Sequence, residues 1–339
     1  MISVGIVGLG RSGWDIHCSI LGNMPDHYHL LAVCDGNPEF LEQAKAQFKC
    51  HAYLCYEEFL KKQSMDLVVI ATPTKFHFDM AKLALMNGFN VVIEKPICPT
   101  YLSLLELYEI ANARNKHIFP FYNFRFSSDY HVIENIISQG CLGQINFVSK
   151  KTNYFNRRDD WQADWKEGGG IFNAASIHSV DQCVNINMND ELELRDVISR
   201  RVHSKGSAPD YCKIIMENSS NCIYEIENSW MHPFAEYSWL VCGTTGALRI
   251  QNNQVALKYF EPSQVVKEVS AIRSYMAAEK INWLGKEFII DNSYKTGITD
   301  EFYRHIYEFY FLGQKFKIDE SSVFKTALLV DKIMQFLIQ

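Results

Sequence analysis

Val4-Gly5-Ile6-Val7-Gly8-Leu9-Gly10-Arg11-Ser12-Gly13 opens on an apolar run of strand length and ends on three glycines spaced G-x-G-x-x-G. A helical pattern follows at 11–23. Such a triplet recurs by chance, but between a strand and a helix each glycine has a task. Gly8 permits a tight turn, Gly10 lets the backbone approach a pyrophosphate, and Gly13 lets the helix pack closely on the strand. The helix start, with Arg11 and Ser12, turns amide groups and a positive dipole end toward the same phosphate.

Around this turn, short apolar runs at 2–7, 29–34, 52–54, 67–71, 89–93 and 117–122 alternate with helical patterns at 11–23, 38–48, 56–62, 74–87 and 101–114. Thr74 and Thr100 are expected N-caps, and Gly88 ends a helix. This alternation implies right-handed crossovers and a parallel sheet covered on both faces. Past residue 122 the rhythm changes. Helices are expected at 127–138 and 170–185, strands at 144–154, 193–203, 211–217, 221–230, 237–242 and 246–250, and closing helices at 301–312 and 321–338. The segment 252–300 reads as an irregular excursion with a short helix. The fold class is therefore α/β: a doubly wound, Rossmann-type parallel sheet over 1–122, then an α+β domain over 123–339. That second domain is built on a large open, mainly antiparallel sheet, with its last helices packing back on the first.

The chain has 339 residues, 47% hydrophobic and 21% charged, an ordinary globular composition with material for two cores. A net charge of −6 argues against nucleic-acid binding, which needs a clustered positive face. No apolar stretch reaches the roughly 18 residues of a membrane span. A strand from residue 2 leaves no room for a secretory signal, so a cytoplasmic location is expected. The ten cysteines form no CxxC pair and read as small buried hydrophobes of a reducing compartment. Cys50-His51-x3-Cys55 fits no zinc template, and no metal is expected.

Asp35 ends the second strand, 22 residues past Gly13, where a carboxylate can bond both ribose hydroxyls and repel a 2′-phosphate. Gly36 and Asn37 add no cation, so NAD is expected over NADP. Thr72 and Pro73 follow the next central strand at the same edge, while His77 reads as a packing or surface histidine. Glu94-Lys95-Pro96 ends the run Val91-Val92-Ile93 and sets an amine at that edge. Oxidising a secondary alcohol sends a hydride to the cofactor and a proton to a base. A lysine desolvated in a cleft can share that proton.

Gly8-x-Gly10-x-x-Gly13, Thr72-Pro73, Glu94-Lys95-Pro96 and Gly168-Gly169-Gly170…His178-x-x-Asp181 together resemble the Gfo/Idh/MocA family of sugar and cyclitol dehydrogenases, over essentially the whole chain. The resemblance implies a substrate site between the domains, with Lys95 and His178 near the nicotinamide. It also implies a homodimer or homotetramer built through the C-terminal sheet. One position departs from it. Where the family commonly carries Asp or Asn, four residues before the histidine, this chain has Ala174, and on an α-helix Asn173 points about 100° away.

His178 and Asp181, spaced i,i+3, share a helix face and are expected to reach a polyol. Arg158 and Trp161, on a charged loop ahead of the triple glycine, suit hydroxyl recognition and ring stacking. Tyr122, Asn123 and Arg125 leave the last strand of the first domain toward the cleft; Arg125 reads equally as an interdomain anchor. The expected activity is hydride transfer between NAD and a secondary alcohol or ketone of a sugar, cyclitol or polyol. Two other readings stand beside it. Ala174 suits a dinucleotide-binding sensor without turnover, and the same fold can serve an NAD-assisted glycosidase.

Overall fold

A computed structural model of the chain describes residues 1–338 apart from 63, 188–189, 232, 235, 265–280 and 292–296. Its first sheet uses β1 (Ile2–Val7), β2 (Tyr28–Cys34), β3 (His51–Tyr53), β4 (Leu67–Ile70), β5 (Asn90–Ile93) and β6 (Ile118–Pro120). The order is β3-β2-β1-β4-β5-β6, every pair parallel. Leu67, Val68, Val69 and Ile70 are all fully buried, as a parallel strand with helices on both faces requires. Strand order reverses between β1 and β4, opening a crevice at their carboxyl ends.

The covering helices are α1 (Ser19–Gly22), α2 (Pro38–Phe48), α3 (Tyr56–Lys62), α4 (His77–Met86) and α5 (Tyr101–Ala113). The helix expected at 11–23 begins as a wide π-helical turn, Ser12–Cys18, that runs into α1. Thr100 caps α5 by accepting the Ser103 N–H at 3.1 Å. Thr74 does not cap. Pro73 is extended, and Thr74 lies inside a 3-10 turn (Thr74–Phe76) that leads into α4.

The second half adds α6 (Ser128–Ser138), β7 (Ile145–Asn153), α7 (Ile177–Ile186), β8 (Leu192–Arg200), β9 (Tyr211–Asn218), β10 (Ile223–Ser229), β11 (Trp239–Gly243), β12 (Gly246–Gln251), β13 (Gln254–Tyr259), β14 (Leu284–Ile289), α8 (Gly297–Leu312) and α9 (Glu320–Ile338). The sheet order is β14-β13-β12-β11-β7-β10-β9-β8, with β7–β10 parallel and the other pairs antiparallel. The expectation of an irregular 252–300 is corrected at both ends: β13 and β14 extend the sheet, and among the described residues between β13 and α8 the one helical piece is a 3-10 turn, Pro262–Gln264. Residues 265–280 lie outside the described part. The last helices do pack on the first domain. Phe309 meets Phe119 at 5.5 Å, and Asp331 accepts the Tyr101 N–H at 2.7 Å.

Candidate active site at the carboxyl edge

A cleft of about 530 Å³ runs along the carboxyl ends of β1, β2, β4 and β5. Gly8, Gly10, Arg11, Ser12, Asp35, Thr72, Pro73, Glu94 and Lys95 all line it. Gly8 has φ +90°, and a Cβ there would meet the Ala71 carbonyl at 2.7 Å. A Cβ on Gly13 would lie 1.8 Å from the Gly8 oxygen, so this glycine sits under the turn. Gly10 is the opposite case: nothing lies within 4 Å of its missing Cβ. Two glycines close the turn and the third leaves open space above it. Asp35 accepts the Leu9 N–H at 2.6 Å and the Asn37 N–H at 2.8 Å, which fixes its carboxylate beside the turn.

Lys95 reaches from the end of β5 across to the other domain. Its Nζ donates to the carbonyls of Asn173 (2.9 Å) and Ala174 (3.1 Å). Both residues belong to a second π-helical turn, Phe172–Ser176, which leads directly into α7. π turns inside helices often occur at functional sites, and this one widens the helix so that Asn173 as well as Ala174 enters the cleft wall. The α-helical expectation that turned Asn173 away is corrected by that geometry. Burial lowers the pKa of the Lys95 ammonium; Glu94 opposes the shift and Arg11 adds to it. Burial would raise the Glu94 carboxyl, but His17 and Lys95 outweigh it and hold it at about 2.

His178 opens α7, is 8% exposed and lies outside the cleft lining. Its ring packs on Phe124 at 4.3 Å, and its Nδ1 has no hydrogen-bond partner. Burial, then the charge of Lys95, pushes its pKa well below the ordinary imidazole value, and Lys150 adds to that. His77 is buried, with ring nitrogens 2.7 Å from the Pro96 carbonyl and 2.8 Å from that of Thr72, so it ties two cleft loops together.

Other expected ligand contacts sit elsewhere. Arg125 and Asp181 are 2% and 1% exposed and form a two-pronged ion pair, Nε–Oδ2 2.8 Å and Nη2–Oδ1 2.5 Å. Ser322 and Thr326 of α9 complete that cluster. The expectation that Asp181 faces a ligand is corrected, and of the two readings of Arg125 the pair favours the anchor: each charge already satisfies the other in the core. Tyr122 and Asn123 are also buried and outside the cleft, the amide of Asn123 lying 3.5 Å from the Thr299 hydroxyl. Arg158 pairs with Asp160 and is not itself in the lining, whereas Asp160 and the half-exposed Trp161 are. Gln162 accepts from Arg11 at 3.2 Å, linking that loop to the glycine turn. The sequence reading missed Phe40, Leu54 and Tyr56, which line the Asp35 end of the cleft. They come from separate elements, α2, the turn after β3 and the start of α3, which the sheet order brings to one end of the cleft.

Two family models match the chain. One is the oxidoreductase family, NAD-binding Rossmann fold, of Gfo/Idh/MocA over residues 2–122, and the other is the GFO/IDH/MocA C-terminal domain over 130–249. Together they cover most of its length, and the chain belongs to the Gfo/Idh/MocA oxidoreductase family. The uncharacterized oxidoreductase YhhX of Escherichia coli (strain K12) is 29% identical over 189 residues, 55% of this chain and 54% of that protein. The scyllo-inositol 2-dehydrogenase (NADP(+)) IolW of Bacillus subtilis (strain 168) is 27% identical over 190 residues, 55% of this chain and 51% of that one. The chain thus spans about half the length of these curated relatives. A solved NAD-binding protein from Listeria innocua has the same fold, with a TM-score of 0.80 at 22% identity, covering 98% of this chain and 94% of that one.

The residues present fit a dinucleotide. The open space above Gly10, the two closed glycines and the cleft that continues to Asp35 form the cradle a pyrophosphate and ribose need. Among the described residues no helix is long and apolar enough to cross a membrane.

Proposed function

We propose that the protein is an NAD-preferring dehydrogenase or reductase acting on a secondary alcohol or ketone of a sugar, cyclitol or related polyol. The observation that carries this reading is Lys95, an amine part-exposed at the cleft floor and anchored on the turn that starts the His178 helix. Gly8, Gly10, Arg11, Ser12, Gly13, Asp35, Thr72, Pro73 and Glu94 would hold the dinucleotide, which supplies the hydride acceptor or donor when bound. Lys95 orients the reacting oxygen and takes or gives its proton; its depressed pKa brings that exchange closer to neutral pH. His178, buried outside the cleft lining and held neutral by its surroundings, is a second titratable group that the charge of Lys95 reaches. Trp161 offers an apolar face for a sugar ring, and Asn173, whose amide nitrogen donates to the Gly168 carbonyl at 3.1 Å, an amide oxygen for a hydroxyl.

NAD is favoured over NADP because Gly36 and Asn37, which follow Asp35, bring no cation to balance a 2′-phosphate against that carboxylate. The reading includes two functional domains, 1–122 and 123–339, a cytoplasmic location, and a homodimer or homotetramer joined through the C-terminal sheet. Fluorescence titration with NADH and NADPH tests it first. Tighter NADH binding, followed by an absorbance change at 340 nm with a member of a polyol panel, supports the enzyme. Saturable binding with no turnover on any polyol would favour the sensor, and no binding at all would end both readings.

A further inference from the structure

The buried surroundings of Glu94 contain a group that the reaction chemistry does not call for. His17, on the π-helical turn after the glycines, is fully buried, and its Nε2 lies 3.3 Å from Glu94 Oε1. Nε2 makes no regular hydrogen bond there, so the contact is one of charge and dipole. Its other nitrogen, Nδ1, is 2.7 Å from the hydroxyl of Tyr303, a fully buried residue of α8 nearly three hundred positions away. Phe121 covers the imidazole at 4.5 Å, and the Tyr28 hydroxyl donates to the Tyr303 carbonyl at 2.5 Å. Glu94 Oε2 in turn accepts the backbone N–H of Lys95 at 3.1 Å, which fixes the carboxylate beside the residue that carries the amine.

One proton arrangement turns an N–H toward the carboxylate while keeping the imidazole neutral. The Tyr303 O–H donates to Nδ1, leaving the proton on Nε2, which then faces the carboxylate. Without the tyrosine hydroxyl the proton is free to move to Nδ1, and a lone pair would then face Glu94. We propose that Tyr303 is a positioning residue for Lys95: it fixes the His17 tautomer that keeps Glu94 a carboxylate oriented on the lysine. Tyr303 lies outside both family-model matches, so nothing in those matches marks it. The inference rests on the reading of Lys95 as the reacting amine, but its first readout does not.

The charged and titratable groups around Lys95 are Glu94 on its own strand end, Arg11 from the glycine turn, His77 from α4 and His178 from α7. Of these, Glu94 alone favours the ammonium, so weakening it must ease deprotonation. The test is peptide-resolved acetylation of Lys95 by acetic anhydride across pH, in the full-length protein without cofactor. Tyr303→Phe should move the titration of this amine to lower pH and speed its acetylation at pH 8 by about threefold or more. Glu94→Gln should do so further. His17→Gln keeps an N–H for Glu94 and should stay near wild type, whereas His17→Leu should match Tyr303→Phe. Proteins that fold and bind NADH normally but show an unchanged Lys95 titration in both Tyr303→Phe and His17→Leu would overturn the proposal. If one variant fails to fold, the other decides. Loss of turnover in Lys95→Met bears only on the enzyme reading, so the two can fail separately.

Discussion

Lys95 and Arg125 are both cations at the junction of the two halves, and their partners differ in kind. Arg125 spends its guanidinium on Asp181 and Ser322, while Asp181 also accepts from Thr326. The carboxylate, the guanidinium and two hydroxyls close on one another with no side open to the cleft. The Lys95 amine, by contrast, is held by two backbone carbonyls, and the neighbouring Glu94 carboxylate accepts the lysine's backbone N–H instead. The lysine's tip faces a cavity, and its pKa is depressed by burial. A saturated charge holds structure, whereas a charge held loosely at an open edge is available for chemistry.

The strongest way to break that contrast is to remove the saturated cation. Arg125→Met leaves Asp181 buried and unpaired, and one member lost from such a pair costs about 3–5 kcal/mol. Denaturant unfolding should show that loss, with NADH binding retained in whatever fraction stays folded. A stability change below about 1 kcal/mol would mean that water or neighbouring hydroxyls replace the arginine, and the contrast would weaken. Lys95→Met is the mirror experiment. Turnover on the identified polyol should fall at least about 100-fold, the lower range for a positioned acid–base group, with folding and NADH affinity spared. Near-normal turnover would remove Lys95 from the reaction.

Much of this arrangement was legible because it depends on backbone needs. Gly8 and Gly13 are forced by sterics, and the alternation of apolar runs with helices requires a parallel sheet whose carboxyl edge collects Asp35, Thr72 and Lys95. The Arg125–Asp181 pair was not legible: 56 residues separate the partners, and the i,i+3 spacing of His178 and Asp181 suggested a common target. On α7 they diverge, Asp181 toward α9 and His178 toward Phe124. The π-helical turn 172–176 also leaves no mark in a pattern read at 3.6 residues per turn, so Asn173 was placed on the wrong side. The β12–β13 hairpin escaped notice because its turn is Asn252-Asn253. Asparagine tolerates the positive φ angles of 49° and 64° there, but two in succession look like loop.

The glycine turn offers a finer test of the same distinction between filled and open space. Gly13→Ala would drive a Cβ into the Gly8 carbonyl and should lower stability and binding together. Gly10→Ala meets nothing in the protein. Its melting temperature should match wild type, while NADH affinity drops by about tenfold as the methyl occupies the pyrophosphate's approach. Calorimetric titration beside a thermal melt separates the two effects. An unchanged affinity would place the dinucleotide away from Gly10.

The smallest effect concerns Glu94, which belongs partly to each kind of site: buried and paired like Asp181, yet adjacent to the reacting amine. Its folded-state pKa of about 2 lies below the ordinary carboxyl value of 4.5. A depressed carboxyl contributes stability that is fully present above its unfolded value and is lost as pH falls through the folded one. Wild type should therefore lose stability relative to Glu94→Gln between about pH 4.5 and pH 2, and the difference should be flat from pH 5 to 7. Melting temperatures of the two proteins taken across that range measure the difference directly. A gap that stays constant down to pH 2 would show Glu94 carrying no extra charge interaction in the fold. His17 and Lys95 would then not be holding it, and the division between saturated and reactive charges would lose the residue that joins them.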